Sequence, residues 1–316
     1  RYVGASPVGS WLGGALAEAS GTGTADLNLA LVMPLDDLTR TTVRGALQLA
    51  GNDVRLQPGT PLLGQARGRV DFSERGLNVV GARARVLGGD ATFEGQTGPS
   101  GTLRLAGQGM ARAEALFKPG ELPALAALAP LAPQLRGQAP YRMQLSVGGG
   151  APLELDVSSS LSGLTLDLPA PLGKLSTADW PLRLRVAGAA TGGAPLRWSL
   201  DVGEQLKARF EQGGDGDWRG RAAVGGESPP WPAAGLHLVL QAGQLDVDAW
   251  SALQPAGGDG DSAWPVPLQV DLQAQSLRFE GRRFTDVAAK LQRRAAAGGG
   301  GRGGWTAELR AEQGEG

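Results

Sequence analysis

The sequence predicts a mainly β fold, a many-stranded antiparallel sheet with a few short helices, and three observations carry the prediction. Short runs alternate apolar and polar residues with period two, as strands with one apolar face do. The 316 residues include 51 glycines and 21 prolines spread along the whole length, and these residues close hairpins and end strands. Aromatic residues make up only 5%. Rings bury about 150 to 250 Å² each and dominate ordinary cores, so their scarcity points to a thin structure.

Successive side chains leave opposite faces of a strand, so each run presents one apolar set. "ADLNLALVM" (Ala25–Met33) aligns Leu27, Leu29 and Leu31, and "GALQLAGNDVRL" (Gly45–Leu56) aligns Leu47 and Leu49. "GQARGRVDF" (Gly64–Phe72) follows. "GTLRLAG" (Gly101–Gly107) gives Leu103 and Leu105, "YRMQLSV" (Tyr141–Val147) gives Leu145 and Val147, and "LELDVSS" (Leu153–Ser159) gives Leu153, Leu155 and Val157. In "SSSLSGLTLDLPAPLGK" (Ser158–Lys174) Leu164, Leu166 and Leu168 point one way before two prolines stop the pattern. "PLRLRVAG" (Pro181–Gly188) adds Leu182, Leu184 and Val186. "GLHLVLQAGQLDVDAW" (Gly235–Trp250) adds Leu236, Leu238 and Leu240. With about twenty such runs stacked about 4.8 Å apart, the sheet would extend on the order of 100 Å.

Helix is expected in "VGSWLGGALAEA" near the start, over the Leu122/Leu125/Leu128 spacing before Pro130, and as a turn at "DAWSAL". Asp36 and Asp37 open a turn or helix. Glycine and aspartate alternate in "EQGGDGDW" (Glu211–Trp218) and "PAGGDGDSAW" (Pro255–Trp264), as hairpin turns do. "AAAGGGGRGG" (Ala295–Gly304) reads as a flexible insertion within a hairpin, because "WTAELRAE" resumes the alternation after it. Gly88 and Gly89 are expected at a tight turn or bulge, and Pro169 and Pro171 where pairing ends. No internal boundary is sharp, so residues 1–316 read as one continuous section.

Composition excludes several function classes. Thirty Lys and Arg against 31 Asp and Glu give a net charge of −1, with no cationic excess to neutralise a nucleic-acid backbone. Cysteine is absent and His237 is the lone histidine. Thiol nucleophiles and zinc thiolate sites are therefore excluded, and a His-paired serine has one candidate base. His237 lies opposite Leu236 and Leu238, so it is expected on the polar face near solvent. The phosphate-loop near-match "LPAPLGKLS" (Leu168–Ser176) lacks the first glycine, and Pro169 and Pro171 remove two N–H groups that such a cradle needs. The two "GGDGD" loops lack the spacing of calcium loops and read as solvated turns. Trp198, Trp218, Trp231, Trp250, Trp264 and Trp305 are spread as rim or edge residues. No catalytic residue, metal site or cofactor is expected, and no apolar run reaches the roughly 18 residues that span a bilayer.

Several segments together resemble a known family. They are "GALQLAGNDVRL…LLGQARGRVDFSERGLNVVGARARVLGGDATFEG" (Gly45–Gly95), "LDVSSSLSGLTLDLPAPLGK" (Leu155–Lys174), "LDVDAWSAL" (Leu245–Leu253) and "LRFEGRRFTDVAAKLQR…GGWTAELRAEQGEG" (Leu277–Gly316). They resemble the periplasmic core of YhdP-type proteins, in the AsmA-like superfamily that also contains TamB. The leucine strand followed by "LPAPLGK", with "VLGGDATFEG", is the most specific part. The resemblance implies a long twisted sheet curled into an open groove with an apolar inner face, the β-taco form of bridge-like lipid transfer proteins. It implies a periplasmic location, an inner-membrane anchor and a continuation of the body outside this sequence, and phospholipid as the partner. The leucines and valines named above would then line the lane for acyl chains, whereas periodicity alone leaves equally open that Leu164, Leu166 and Leu168 pack against another sheet in a sandwich or β-helix. A non-transporting role as scaffold or assembly factor for outer-membrane proteins or surface polymers is the alternative, and phospholipid carried by the purified protein separates the two.

Overall fold

The computed structural model describes residues 19–34, 36, 42–56, 60–73, 76–98, 100–118, 121–188, 195–213, 216–253, 267–293 and 304–313. Eighteen strands dominate it. The chain divides into two compact units, each built as an open ladder of neighbouring strands.

The first unit comprises Arg1–Ala126, Gln138–Ser160 and Val186–Gly192. Its strands are β1 (Ser20–Thr22), β2 (Ala25–Val32), β3 (Thr42–Arg55), β4 (Leu63–Ser73), β5 (Gly76–Val86), β6 (Gly89–Thr97), β7 (Thr102–Arg112), β8 (Leu135–Gly148, from Gln138) and β9 (Ala151–Ser159). From β2 to β9 each strand pairs antiparallel with the next. Register shifts recur in β3 between Ala50 and Val54, in β4 between Gly64 and Arg69, and in β5 between Val79 and Ala82. Each shift adds a residue and bends the strand.

Asn52 shows how such a bulge is satisfied. It is buried, its Oδ1 accepts from Ala50 N–H at 3.1 Å, and its Nδ2 donates to the carbonyls of Thr22 and Thr24 at 3.0 Å. The side chain thereby bridges the gap between β1 and β2, which both pair with β3. The β5–β6 hairpin turns at Leu87 and Gly88, both with positive φ. A side chain on Gly89 would run into the Met110 carbonyl. Helix α1 (Ala113–Leu116) buries Ala113 and Ala115 at this end of the unit.

The second unit comprises Ala127–Gly137, Leu161–Arg185 and Gly193–Gly316. It holds β10 (Leu164–Leu166), the start of β11 (Leu182–Gly188), β12 (Leu196–Val202), β13 (Leu206–Gln212), β14 (Trp218–Val224), β15 (Gly235–Asp246), β16 (Leu268–Phe279), β17 (Arg282–Arg293) and β18 (Trp305–Gln313). Two steps depart from the antiparallel expectation, since β14–β15 and β15–β16 pair parallel. A parallel step forces the chain to return along the strands before pairing again. Residues 225–234 make the first return. The second begins with helix α2 (Val247–Ser251), capped by Asp246, whose Oδ1 accepts from Ala249 N–H at 2.9 Å.

Asp248 on α2 accepts the N–H groups of Glu280 and Gly281 at 2.7 and 2.9 Å, fastening α2 to the β16–β17 turn. Those bonds, from Gly281 first, hold its carboxyl below the usual range.

The helical expectation over Leu122 to Leu128 is met by a 3₁₀ helix, Pro123–Gln134, which continues through Pro130 and Pro133. Proline's fixed φ fits that geometry. The expected helix near the start and the Pro255–Trp264 loop lie outside the described residues, as does Asp37. The Glu211–Trp218 turn joins β13 to β14, with Gly213 N–H donating to the Asp217 carbonyl at 2.9 Å. The Ala295–Gly304 insertion falls between the paired strands β17 and β18.

Candidate functional site

Strand register assembles the alternating side chains into rows. In the first unit one row passes through eight strands by direct cross-strand pairing: Leu27, Leu47, Val70, Val79, Gly95, Leu105, Leu145 and Leu155. No polar side chain interrupts it. A neighbouring row on the same face runs Phe93, Gly107, Met143 and Val157. Leu29 pairs across Gly45 to Phe72, and Leu103 pairs with Val147. The opposite face repeats the regularity in residues that are polar except for one alanine: Asn28, Ala46, Asp71, Asn78, Gln96, Arg104, Ser146 and Glu154 stand in one row.

Burial grades across the apolar face. Leu27 and Leu29 are 58% exposed and Leu31 48%. Leu47, Leu49, Leu103, Leu105, Leu145, Val147, Leu153, Leu155 and Val157 are half-buried. A buried cluster forms around Ala66, Ala84, Val86, Ala91 and Phe93. A side chain with a second sheet upon it would be inaccessible, and most of these are not.

The second unit has the same design. Val202, Leu206, Val224, Leu240, Leu272, Ala289 and Leu309 form an unbroken apolar row from β12 to β18. Leu200, Ala208, Ala222, Leu238, Val270, Leu291 and Ala307 form the next. A third runs Trp198, Phe210, Gly220, Leu236, Leu268, Arg293 and Trp305. Alternation marks Leu236, Leu238 and Leu240 in the sequence but not their partners on β12 to β14 and β16 to β18. Their alternation is diluted by alanine, which lowers the contrast without changing the side on which they fall.

The segment Leu164 to Leu168 is arranged differently from the neighbouring lane residues. β10 is three residues long and pairs with the beginning of β8, Leu164 opposite Gly137 and Leu166 opposite Leu135. Leu164 is 5% exposed, and Leu166 bridges back to Lys174. Leu164, Leu166 and Leu168 thus belong to the second unit, whereas Leu153, Leu155 and Val157 belong to the first. Leu182 and Leu184 lie at the start of β11 and are half-buried, and Val186, beyond them, is buried.

Pro169 and Pro171 follow β10 outside any paired strand. The Ala170 carbonyl accepts from Trp250 Nε1 at 3.0 Å. Lys174 is buried and its Nζ donates to the carbonyls of Leu161, Leu164 and Leu175 at 2.7, 2.9 and 3.1 Å. Burial lowers its pKa, and Asp179 partly offsets this. All three ammonium protons are spent on the loop's own backbone, so this lysine is a structural clamp.

The expectation of His237 near solvent is overturned. It does share the polar face, standing opposite Arg221 and Gln269, but it is 6% exposed and its Nε2 lies 2.8 Å from Asp271 Oδ2. The parallel return of residues 225–234 runs beside it, against its register partner Arg221. There Pro229 accepts from Arg221 Nη1 at 3.0 Å, and Trp231 packs 5.3 and 5.0 Å from the guanidinium carbons of Arg219 and Arg221. Nearby, Glu211 is gripped by Arg197 and Arg219, whose hydrogen bonds hold its carboxyl below the ordinary range.

Among the described residues no three His, Asp or Glu side chains converge to hold a metal ion, and no helix is long and apolar enough to cross a membrane. No curated protein and no solved structure matches the chain. The sequence profile of the family described as YhdP protein matches residues 1–316. With that match over its whole length and an open, mainly β architecture beneath it, the chain belongs to the YhdP family.

Proposed function

We propose that this chain is a periplasmic section of a bridge-like lipid transfer protein, shielding phospholipid acyl chains on their way between inner and outer membrane. The observation that carries this is the eight-strand row from Leu27 to Leu155, apolar throughout and half-open to solvent along much of its length. Each CH₂ kept from water gains roughly 0.8 kcal/mol, so a continuous apolar strip lets a tail slide from one strand to the next at nearly constant free energy. No bond is made or broken, and no catalytic group is required. The residues of the strip are Leu27, Leu47, Leu105, Leu145 and Leu155 with their row neighbours, and Leu236, Leu238 and Leu240 do the same work in the second unit. The anchor and the remainder of the conduit lie in segments outside this sequence.

The test is organic extraction of the purified protein followed by mass spectrometry, with a photocrosslinking residue at Leu145. Phospholipid in the extract and a lipid adduct at position 145 are the expected results. A lipid-free protein whose crosslinks at 145 capture only polypeptide would replace the conduit with an assembly scaffold.

A further inference from the structure

Four polar side chains are buried among the described residues: Asn52, Lys174, His237 and Arg293. Three are satisfied by the protein. Asn52 bonds three backbone groups, Lys174 three carbonyls, and His237 the Asp271 carboxylate. Arg293 is the exception: it is 6% exposed, and among the described residues its guanidinium makes no hydrogen bond or ion pair, only a ring contact with Trp305, 5.9 Å from the ring centroid. Among the described residues no carboxylate pairs with it, and none of its guanidinium nitrogens is both buried and unpartnered, so the charged end of an otherwise covered side chain reaches solvent.

Its position sharpens the anomaly. Arg293 follows Ala289 and Leu291 at every second residue of β17, so it stands on the apolar face, opposite Leu268 and Trp305. It is also the last residue of β17, placing the cation at the margin of that face. A long cationic side chain whose stem is covered and whose head reaches the solvent edge of an apolar face leaves its charge open to a counter-ion from outside the protein. A phosphate diester is a counter-charge that a guanidinium fork matches through paired N–H···O bonds.

We propose that Arg293 is the headgroup contact of the second unit, holding the phosphate of a phospholipid at the margin while its tails lie along Leu291, Val270 and Leu238. This rests on the lipid-transfer reading above and adds to it a residue that selects phosphate. An apolar strip alone would accept any acyl lipid. With Arg293 at its margin, a phosphatidyl lipid is favoured over a diacylglycerol with the same tails.

The experiment measures binding of fluorescent phosphatidylglycerol, of diacylglycerol with matched tails, and of inorganic phosphate to the whole chain and to Arg293→Leu and Arg293→Lys. Losing a charge-assisted bond of this kind corresponds to about a ten- to hundred-fold loss of affinity. The expected result is such a loss of phosphatidylglycerol in Arg293→Leu, partial recovery in Arg293→Lys, and unchanged diacylglycerol binding. Equal binding of both lipids by the wild type, or undiminished phosphatidylglycerol binding in Arg293→Leu, would overturn the assignment while leaving lipid transfer standing. Arg293-dependent binding of inorganic phosphate with no lipid bound would overturn both, making the site one for free phosphate. If Arg293→Leu fails to fold, the Lys variant decides: phosphatidylglycerol binding equal to wild type would refute a role for the fork.

Discussion

Tyr141 shows what a single polar atom does on an apolar surface. It stands in a row with Ala91 and Gly109, and its hydroxyl is buried without a partner among the described residues. Burial pushes its pKa from 10.0 to about 12. The folded state therefore keeps a proton that the unfolded state releases above pH 10, so the tyrosine's contribution is intact below pH 10 and declines as pH climbs through 12. An unmade hydrogen bond at a buried hydroxyl costs about 1 to 3 kcal/mol. Tyr141→Phe should melt higher than wild type at pH 8 and lose less stability between pH 9 and 11, read by paired thermal melts. Equal slopes in the two proteins would refute this origin. The sequence held part of this information at residue level. Arg293 falls in step with Val287, Ala289 and Leu291, so parity alone placed a cation on the apolar side. "KLQRR" nevertheless reads as a charged strand end. For His237 alternation gives the correct face but not the burial or the Asp271 partner, which comes from the parallel pairing of β15 with β16, and alternation carries no information about strand direction.

At the scale of the element, the strands were legible because one face is apolar and the period is two. Their joints were less so. In β5 the apolar positions pass from Leu77 and Val79 to Ala82, Ala84 and Val86, a change of parity that marks the bulge between Val79 and Ala82. Without it the second half of the strand would turn its apolar residues outward. The glycines of the apolar face have a different task. Gly45 pairs with Phe72, Gly107 with Phe93 and Gly220 with Phe210, and in each case the ring lies across the bare backbone. A Cβ on Gly107 would sit 2.7 Å from Phe93 Cδ1 and 3.0 Å from Met143 Cγ. These glycines let the rings lie flat, which keeps the face low and smooth. Gly107→Val should force the Phe93 ring upward and cost about 1 to 3 kcal/mol, as overpacking does. Adding Phe93→Leu should recover part of that loss, because the two residues are in direct contact. Strictly additive effects in denaturant melts would show that the pair is not coupled. The run Leu164 to Leu168 marks the limit of alternation as a guide. It looks like the best strand in the sequence, yet only three residues pair, because Lys174 and the two prolines close the chain into a loop around it.

Over the whole chain, stability comes from strand pairing between neighbours more than from one large core. Among the described residues no large side chain is completely buried, and each unit has its own small cluster, around Phe93 in the first and around Leu245, Leu277 and Val287 in the second. A protein of this kind tolerates polar substitutions on its apolar face in a way that a sandwich does not. An aspartate forced into a dry core costs several kcal/mol, whereas on a half-open face it is hydrated whenever lipid is absent. Leu145→Asp, in the middle of the first unit's row, should therefore fold with a small loss of melting temperature, while Phe93→Asp, inside the buried cluster, should unfold. Leu240→Asp should behave like Leu145→Asp. Lipid separates these variants further. On the lipid-transfer reading proposed above, a carboxylate in the strip should make crosslinked lipid disappear at the substituted unit and persist at the other. If Leu145→Asp unfolds as fully as Phe93→Asp, the face is an ordinary core. If Leu145→Asp and Leu240→Asp fold and leave lipid crosslinking in their own units undiminished, the apolar rows do not carry the tails.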